Sequence, residues 1–297
     1  MQATSQHLIE RAAARLCQEG RLDPCAAQLL TAELAPSFSE LGASPSGDRT
    51  AIVPTVRPII DRMLLEHAGL LDRKTWRSRA GEEFRVTQGQ ILRAAFSGDS
   101  GDAAPANLLM ITSARPGEGK TFTALNLAAG IAHADDRAVL LLDIDRKPAS
   151  LSHTLGLSEA PGLLDLAADP SLNPGEVIVP TAFEKLCVLP LGRDQNDGTD
   201  QLATRQMTRL IRDLGRRYDD RLVILDAPPC LASSGPSTLA PIVGQILLVV
   251  EAGRTQREEV EAAVDLIQAC PTISLLLNKV RLTTRSSFGS YASANSP

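Results

Sequence analysis

From about residue 107 onward, short and nearly unbroken apolar runs recur along the chain: NLLMITS, AVLLLDI, KLCVLPL, RLVILDA, QILLVVE and ISLLLNK. Segments with helical spacing separate them. Runs that are apolar on both faces predict parallel strands covered on both sides, and the alternation predicts an α/β fold with a doubly wound, mostly parallel sheet. Upstream, Leu8, Ile9, Ala12 and Leu16 follow helical spacing behind Ser5, which predicts a short amphipathic helix within residues 1–30. Residues 31–58 carry Pro36, Pro45, Pro54 and Pro58 among Ser, Gly and Thr and read as an extended linker. Residues 57–71 and 80–96 read as two helices that lead into a domain spanning 59–280, with Arg73, Lys74, Arg77 and Arg79 around Trp76 as a solvated connector. The last stretch, 281–297, has no acidic residue and little apolar content, and is expected to be a mobile, disordered tail.

Composition narrows the function classes. The 297 residues are 43% hydrophobic and 22% charged, too apolar for wholesale disorder. A net charge of −5 gives no general basic surface, and six Phe, two Tyr and one Trp leave no base-stacking platform, so no nucleic-acid partner is expected. Five cysteines at wide spacing, with no C-x-x-C pair, indicate neither a disulfide framework nor a thiolate zinc site and fit a reducing cytoplasm. The four histidines show no metal-ligand spacing. The amino-terminal twenty residues lack a signal-peptide apolar run, and no stretch reaches the ~18 apolar residues of a membrane span.

The chemistry concentrates where the first strand ends. Ala114-Arg115-Pro116-Gly117-Glu118-Gly119-Lys120-Thr121 lies between a strand and a helix expected to be amphipathic through Leu125, Leu127 and Ile131. This is the P-loop arrangement, in which backbone N–H groups and the helix dipole hold phosphates. Lys120 would reach the β/γ-phosphates and the Thr121 hydroxyl would bind Mg²⁺; Ala114 replaces the first Gly of the usual pattern. The second strand ends in Leu142-Asp143-Ile144-Asp145, where strand alternation would put both carboxylates on one face at the ligand-binding edge of the sheet. A third strand closes on Asp226, the usual supplier of a Mg²⁺-directed carboxylate. Cys230, just beyond, reads as a small packing residue.

SARPGEGKTFTALNLA, VLLLDID, VILDAPP, LLVVEAGRT and LLLNKV in this order resemble the bacterial tyrosine kinases (BY-kinases) that accompany exopolysaccharide synthesis, especially the stand-alone exosortase-associated type. The resemblance covers roughly residues 80–280. It implies a P-loop NTPase fold, ATP and Mg²⁺ as cofactors, and a phosphate cradle of Pro116, Gly117, Glu118, Gly119, Lys120, Thr121 and Phe122. It implies Asp145 and Asp226 as Mg²⁺-directed carboxylates beside Thr121, Asp143 as the base that takes the tyrosine proton, and Asn278 against adenine. It further implies autophosphorylation in trans at Tyr291, a homo-oligomer, a tyrosine phosphatase, and a membrane chain-length-determinant partner whose cytoplasmic segment holds the chain at the inner face of the membrane.

Some positions depart from the family. The carboxyl-terminal tyrosine cluster is reduced to Tyr291, and Tyr218 falls at a helix end where it should pack against the fold. Pro148 arrives one residue early after Asp145, and the oligomerisation motif E-x-x-R-x-x-R appears as Glu82, Arg85 and Gln88, which removes one charged fork. A nucleotide-gated regulatory ATPase with no tyrosine acceptor is therefore a rival reading. A localisation ATPase of the ParA and MinD kind is another, although those carry a signature Lys where this chain has Arg115.

Overall fold

The computed structural model describes residues 59–72, 75–77, 79–96, 104–134, 137–147, 150–193 and 204–280, and at 79 and 80 the backbone alone. The expected amino-terminal helix, the linker, Pro148 and the tail with Tyr291 lie outside these residues.

One seven-stranded sheet carries the fold: β1 (Leu108–Ser113), β2 (Val139–Asp143), β3 (Val179–Pro180), β4 (Leu186–Leu189), β5 (Leu222–Asp226), β6 (Gln245–Glu251) and β7 (Ile273–Asn278), in the order β3-β4-β2-β5-β1-β6-β7. All neighbours pair in parallel except the short β3, which runs antiparallel to β4 and was not legible as an apolar run. The strands β1, β2 and β5 are buried throughout, as near-continuous Leu, Ile and Val runs require when helices cover both faces. One aliphatic cluster, built around Leu108, Met110, Leu140, Leu142, Val223 and Leu225, fills one face. The alternate residues Leu109, Ile111, Val139, Leu141, Leu222 and Ile224 fill the other.

The helices are α1 (Arg62–His67), α2 (Arg79–Phe96), α3 (Lys120–Ala134), α4 (Leu151–Thr154), α5 (Leu163–Ala168), α6 (Pro174–Val177), α7 (Arg205–Arg217), α8 (Gly235–Leu239) and α9 (Arg257–Ile267). The first lead-in helix is shorter than the expected 57–71: it starts behind Asp61, whose side chain caps Leu64 N, and stops at Ala68 before the left-handed Gly69. Helix α3 is not amphipathic. Every residue from Thr123 to Ile131 is buried, because the sheet covers one side and the lead-in helices cover the other. Phe122 packs at a tilt against Phe84 of α2, Phe84 packs likewise against Trp76, and the Asn126 amide donates to Gly69 O and accepts from Leu71 N.

The same packing relocates Gln88. Glu82 and Arg85 form an exposed ion pair on α2, whereas Gln88 is buried against Gly130 of α3, where a glycine is required because a Cβ would strike Gln88 Nε2 and Trp76. The missing third fork of that motif is thus a core position here and not a surface one. Tyr218 follows α7 and packs on the first aliphatic cluster, as expected, and Cys230 is buried beneath Thr112 with burial pushing its thiol pKa up. Among the described residues no helix is long and apolar enough to cross a membrane.

Candidate functional site

The sheet register assembles the site. Asp143 at the end of β2 pairs with Asp226 at the end of β5, and Asp226 pairs with Ile111 of the central strand β1. All three project to the face covered by α3, because they continue the alternate set that includes Leu109, Leu141 and Ile224. Helix α3 begins at Lys120, so its amino terminus opens over the two carboxylates at the carboxyl edge of the sheet.

The loop before α3 has the shape of an anion cradle. Gly117 and Gly119 adopt positive φ (87° and 96°), a conformation that only glycine takes without strain. Two of the loop carbonyls are held from behind: Lys279 Nζ donates to Gly117 O at 2.7 Å, and Asn278 Nδ2 donates to Glu118 O at 2.8 Å. The first N–H groups of α3 have no intrahelical partner and remain available to an anion. Pro116 is exposed and has no N–H to offer, so it contributes backbone shape alone, and the Phe122 ring is turned into the aromatic cluster, which leaves its backbone N–H in the first turn of α3. Ala114 is fully buried, and its methyl group belongs to the aliphatic cluster beneath the loop. Replacing Gly119 by alanine is expected to weaken ADP binding by more than about tenfold in calorimetry, because a non-glycine residue is strained at this φ. The added Cβ would also lie 2.2 Å from Asn278 Nδ2.

Lys120 and the three aspartates form one electrostatic unit. The buried Lys120 ammonium lies 2.6 Å from Asp145 Oδ2 and 3.6 Å from Asp226 Oδ1, and 3.3 Å from the Thr121 hydroxyl. Burial opposes its charge, but Asp226, Asp145 and Asp143 outweigh burial and raise its pKa above the ordinary lysine value. Asp226 is completely buried, with the Thr121 hydroxyl beside it and Lys120 3.6 Å from Oδ1, but neither carboxylate oxygen accepts a hydrogen bond of good geometry. Burial, only partly offset by Lys120, pushes its pKa up to about 7. Asp143 is also completely buried, with both oxygens engaged: Asp145 N donates to Oδ1 at 3.0 Å and Ser152 N donates to Oδ2 at 2.6 Å. Burial raises its pKa despite these bonds.

Strand alternation does not bring Asp145 to the site, because β2 ends at Asp143. A turn does so: Ile144 N donates to Asp226 O, Asp145 N donates back to Asp143, and the Asp145 carboxylate is thereby aimed at Lys120. The Asn278 side chain is committed to the loop, with Nδ2 on Glu118 O and Oδ1 accepting from Lys279 N, so it does not stand free for a base. Arg115 is held by Glu259 of the same chain at 3.1 Å. Sequence reasoning gave no role to Glu251 and Thr255 of the LLVVEAGRT motif, to Lys279 of LLLNKV, or to Ser152, which lies outside the recognised motifs.

A divalent cation fits this donor set. The orphaned oxygens of Asp226 lie beside the Thr121 hydroxyl and Asp145, all hard oxygen donors of the kind Mg²⁺ takes. Among the described residues no three acidic, imidazole or thiolate groups converge as a closed metal cage. Mg²⁺ at phosphate sites is commonly held by one or two carboxylates plus water and phosphate.

Tyrosine-protein kinase YwqD of Bacillus subtilis is 31% identical over 186 residues, 62% of this chain and 76% of the relative. The chain belongs to the bacterial tyrosine-protein kinase family. Tyrosine-protein kinase Wzc of Salmonella typhimurium is 32% identical over 160 residues, 53% of this chain, and the match spans only 21% of that longer protein. The kinase domain of the Escherichia coli tyrosine kinase ETK superposes with a TM-score of 0.61 at 28% identity, covering 73% of this kinase and 81% of that chain. No protein-family model matches the kinase sequence.

Proposed function

We propose that this kinase transfers the γ-phosphoryl group of ATP to Tyr291 in the tail of another copy, and that the phosphorylated and free forms regulate exopolysaccharide polymerisation or export. The observation that carries the nucleotide chemistry is the orphaned, fully buried Asp226 carboxylate beside Lys120 and Thr121, directly under the phosphate loop. A buried carboxylate without a close donor costs stability that Lys120 at 3.6 Å offsets only in part, and a bound divalent cation would complete it.

In this reading the N–H groups at the start of α3 and the loop receive the phosphates, and Lys120 moves from Asp145 to the β/γ-phosphate oxygens. Asp226, Asp145 and the Thr121 hydroxyl are the residues that would hold Mg²⁺. When bound, that ion neutralises charge developing on the transferred phosphoryl group. Asp143, with a pKa raised by burial, accepts the proton of the incoming tyrosine hydroxyl at a carboxylate oxygen released from its backbone donor. The family resemblance supports a cytoplasmic chain at the inner face of the membrane, recruited by the cytoplasmic segment of a chain-length-determinant protein.

A second reading, a nucleotide-gated ATPase with no tyrosine acceptor, is favoured by one observation: Asp143 is fully buried and both its oxygens are already taken by backbone N–H groups. Peptide-level mass spectrometry after incubation with Mg²⁺ and ATP separates the two. The proposal expects phosphate on Tyr291 and none in Tyr291→Phe. ATP turnover with no tyrosine modified, even with the partner segment supplied, selects the second reading.

A further inference from the structure

The glutamate inside the phosphate loop has no part in the scheme above. Glu118 sits one residue before Gly119 and Lys120, where phosphates would gather, and an acidic side chain facing them would repel them. It does not face them. Its side chain turns under the loop and is buried, with 2% of the residue exposed. Oε2 accepts the Arg115 N–H at 2.6 Å; Oε1 accepts the Glu251 N–H at 3.1 Å and the Thr255 hydroxyl. One carboxylate thus ties the start of the loop to the end of β6 and to the turn before α9.

The neighbouring ties run the same way. Lys279 Nζ bridges Gly117 O and the Glu251 carboxylate, which lies 3.1 Å away, and Asn278 Nδ2 holds Glu118 O. The loop is therefore clamped from beneath at Arg115, Gly117 and Glu118 by groups from β6, β7 and the turn between β6 and α9.

We infer that Glu118 is a positioning residue that holds the phosphate loop in its binding shape before nucleotide arrives, with Thr255 as its outer anchor. This rests on the nucleotide reading of the loop. Two left-handed glycines flank Glu118, so the free loop has many shapes open to it, and a fixed cradle removes the ordering cost from the binding step. The carboxylate is required chemically as well as sterically, since all three of its partners are donors. In Glu118→Gln one acceptor becomes an NH₂ group, and a donor must then face the Arg115 N–H or the Glu251 and Thr255 pair.

The test is calorimetric titration of ADP, with ATP kinetics in parallel, on the full chain carrying Glu118→Gln, Thr255→Val or Thr255→Ser. Glu118→Gln is expected to weaken ADP binding about tenfold and Thr255→Val about threefold, the scale of losing one charge-assisted bond or part of one. Thr255→Ser, which keeps the hydroxyl, should restore wild-type affinity. The rise in KM for ATP should exceed any fall in kcat, because ground state and transition state use the same cradle. A general loss of fold would lower the active fraction and the melting temperature without this split or the serine rescue. Wild-type ADP affinity in a folded Glu118→Gln variant overturns the inference while leaving the nucleotide reading intact. Failure of the wild-type chain to bind ADP overturns both.

Discussion

Replacing Lys120 by alanine is expected to lower phosphate transfer to Tyr291 by about 10³-fold or more, the scale on which a dedicated cation stabilises a transferring phosphoryl group. The same substitution should also destabilise the protein. Lys120 stands 2.6 Å from Asp145 and 3.6 Å from Asp226, and it is the one basic side chain the described structure places against these two buried carboxylates. Removing one partner of a buried ionic group commonly costs about 3–5 kcal/mol, because the remaining charge is left uncompensated. That cost can be relieved by protonation. Asp226, already raised to about 7 with Lys120 in place, should move higher without it, so the penalty should shrink as pH falls. Urea unfolding of wild type and Lys120→Ala at pH 8 and pH 5 checks this. A stability difference that is the same at both values would show that Lys120 does not compensate these carboxylates.

The second large effect concerns Asp226 itself. Its folded pKa of about 7 lies above the ordinary aspartate value of 3.8, so between those values the folded protein binds more protons than the unfolded chain. Stability of the free protein therefore falls as pH rises through that window and is fully present below it. Burial raises the Asp143 pKa too and adds a contribution of the same sign. Asp226→Asn keeps the shape, leaves Lys120 its 2.6 Å bond to Asp145, and removes the penalised charge. It is expected to stabilise the free protein by about 4 kcal/mol at pH 8 and by almost nothing at pH 4. It should at the same time lower phosphate transfer by more than about a hundredfold, since the variant lacks the carboxylate that would help hold Mg²⁺. Thermal unfolding with Mg²⁺ and ADP gives the complementary readout: the wild type should gain stability when they are added together, and Asp226→Asn should gain much less. A variant that is less stable than wild type at pH 8 and still active would refute the assignment of Asp226 to an ionised, cation-directed role.

These expectations divide along a physical line. The sequence by itself was enough for the α/β class, six of the seven strands, the strand–loop–helix order around Lys120, and Asp143 and Asp226 as strand-end carboxylates. Those features are local: unbroken apolar runs, glycines at fixed offsets and a change of hydrophobic period are all written within a few residues. The short antiparallel β3 has no such signal, because two residues make no apolar run. Nor does the burial of α3 on all sides, which depends on α2 lying across it, or the inward turn of Gln88, which depends on a glycine 42 positions away at Gly130.

Only the tertiary structure decided how the site is wired. The register of β2 on β5 sets Asp143 beside Asp226, a turn and not strand alternation brings Asp145 to Lys120, and the Asn278 amide is engaged by the phosphate loop. The side chain of Glu118 finds its partners at Glu251 and Thr255, 133 and 137 residues further along the chain. A carboxylate in a phosphate loop is the one hint the sequence offers, since such a group must be turned away from the phosphates and met by hydrogen-bond donors. Which donors meet it is settled by which strand ends come together at the loop, and sheet order is a property of the whole chain's packing, not of any segment read alone.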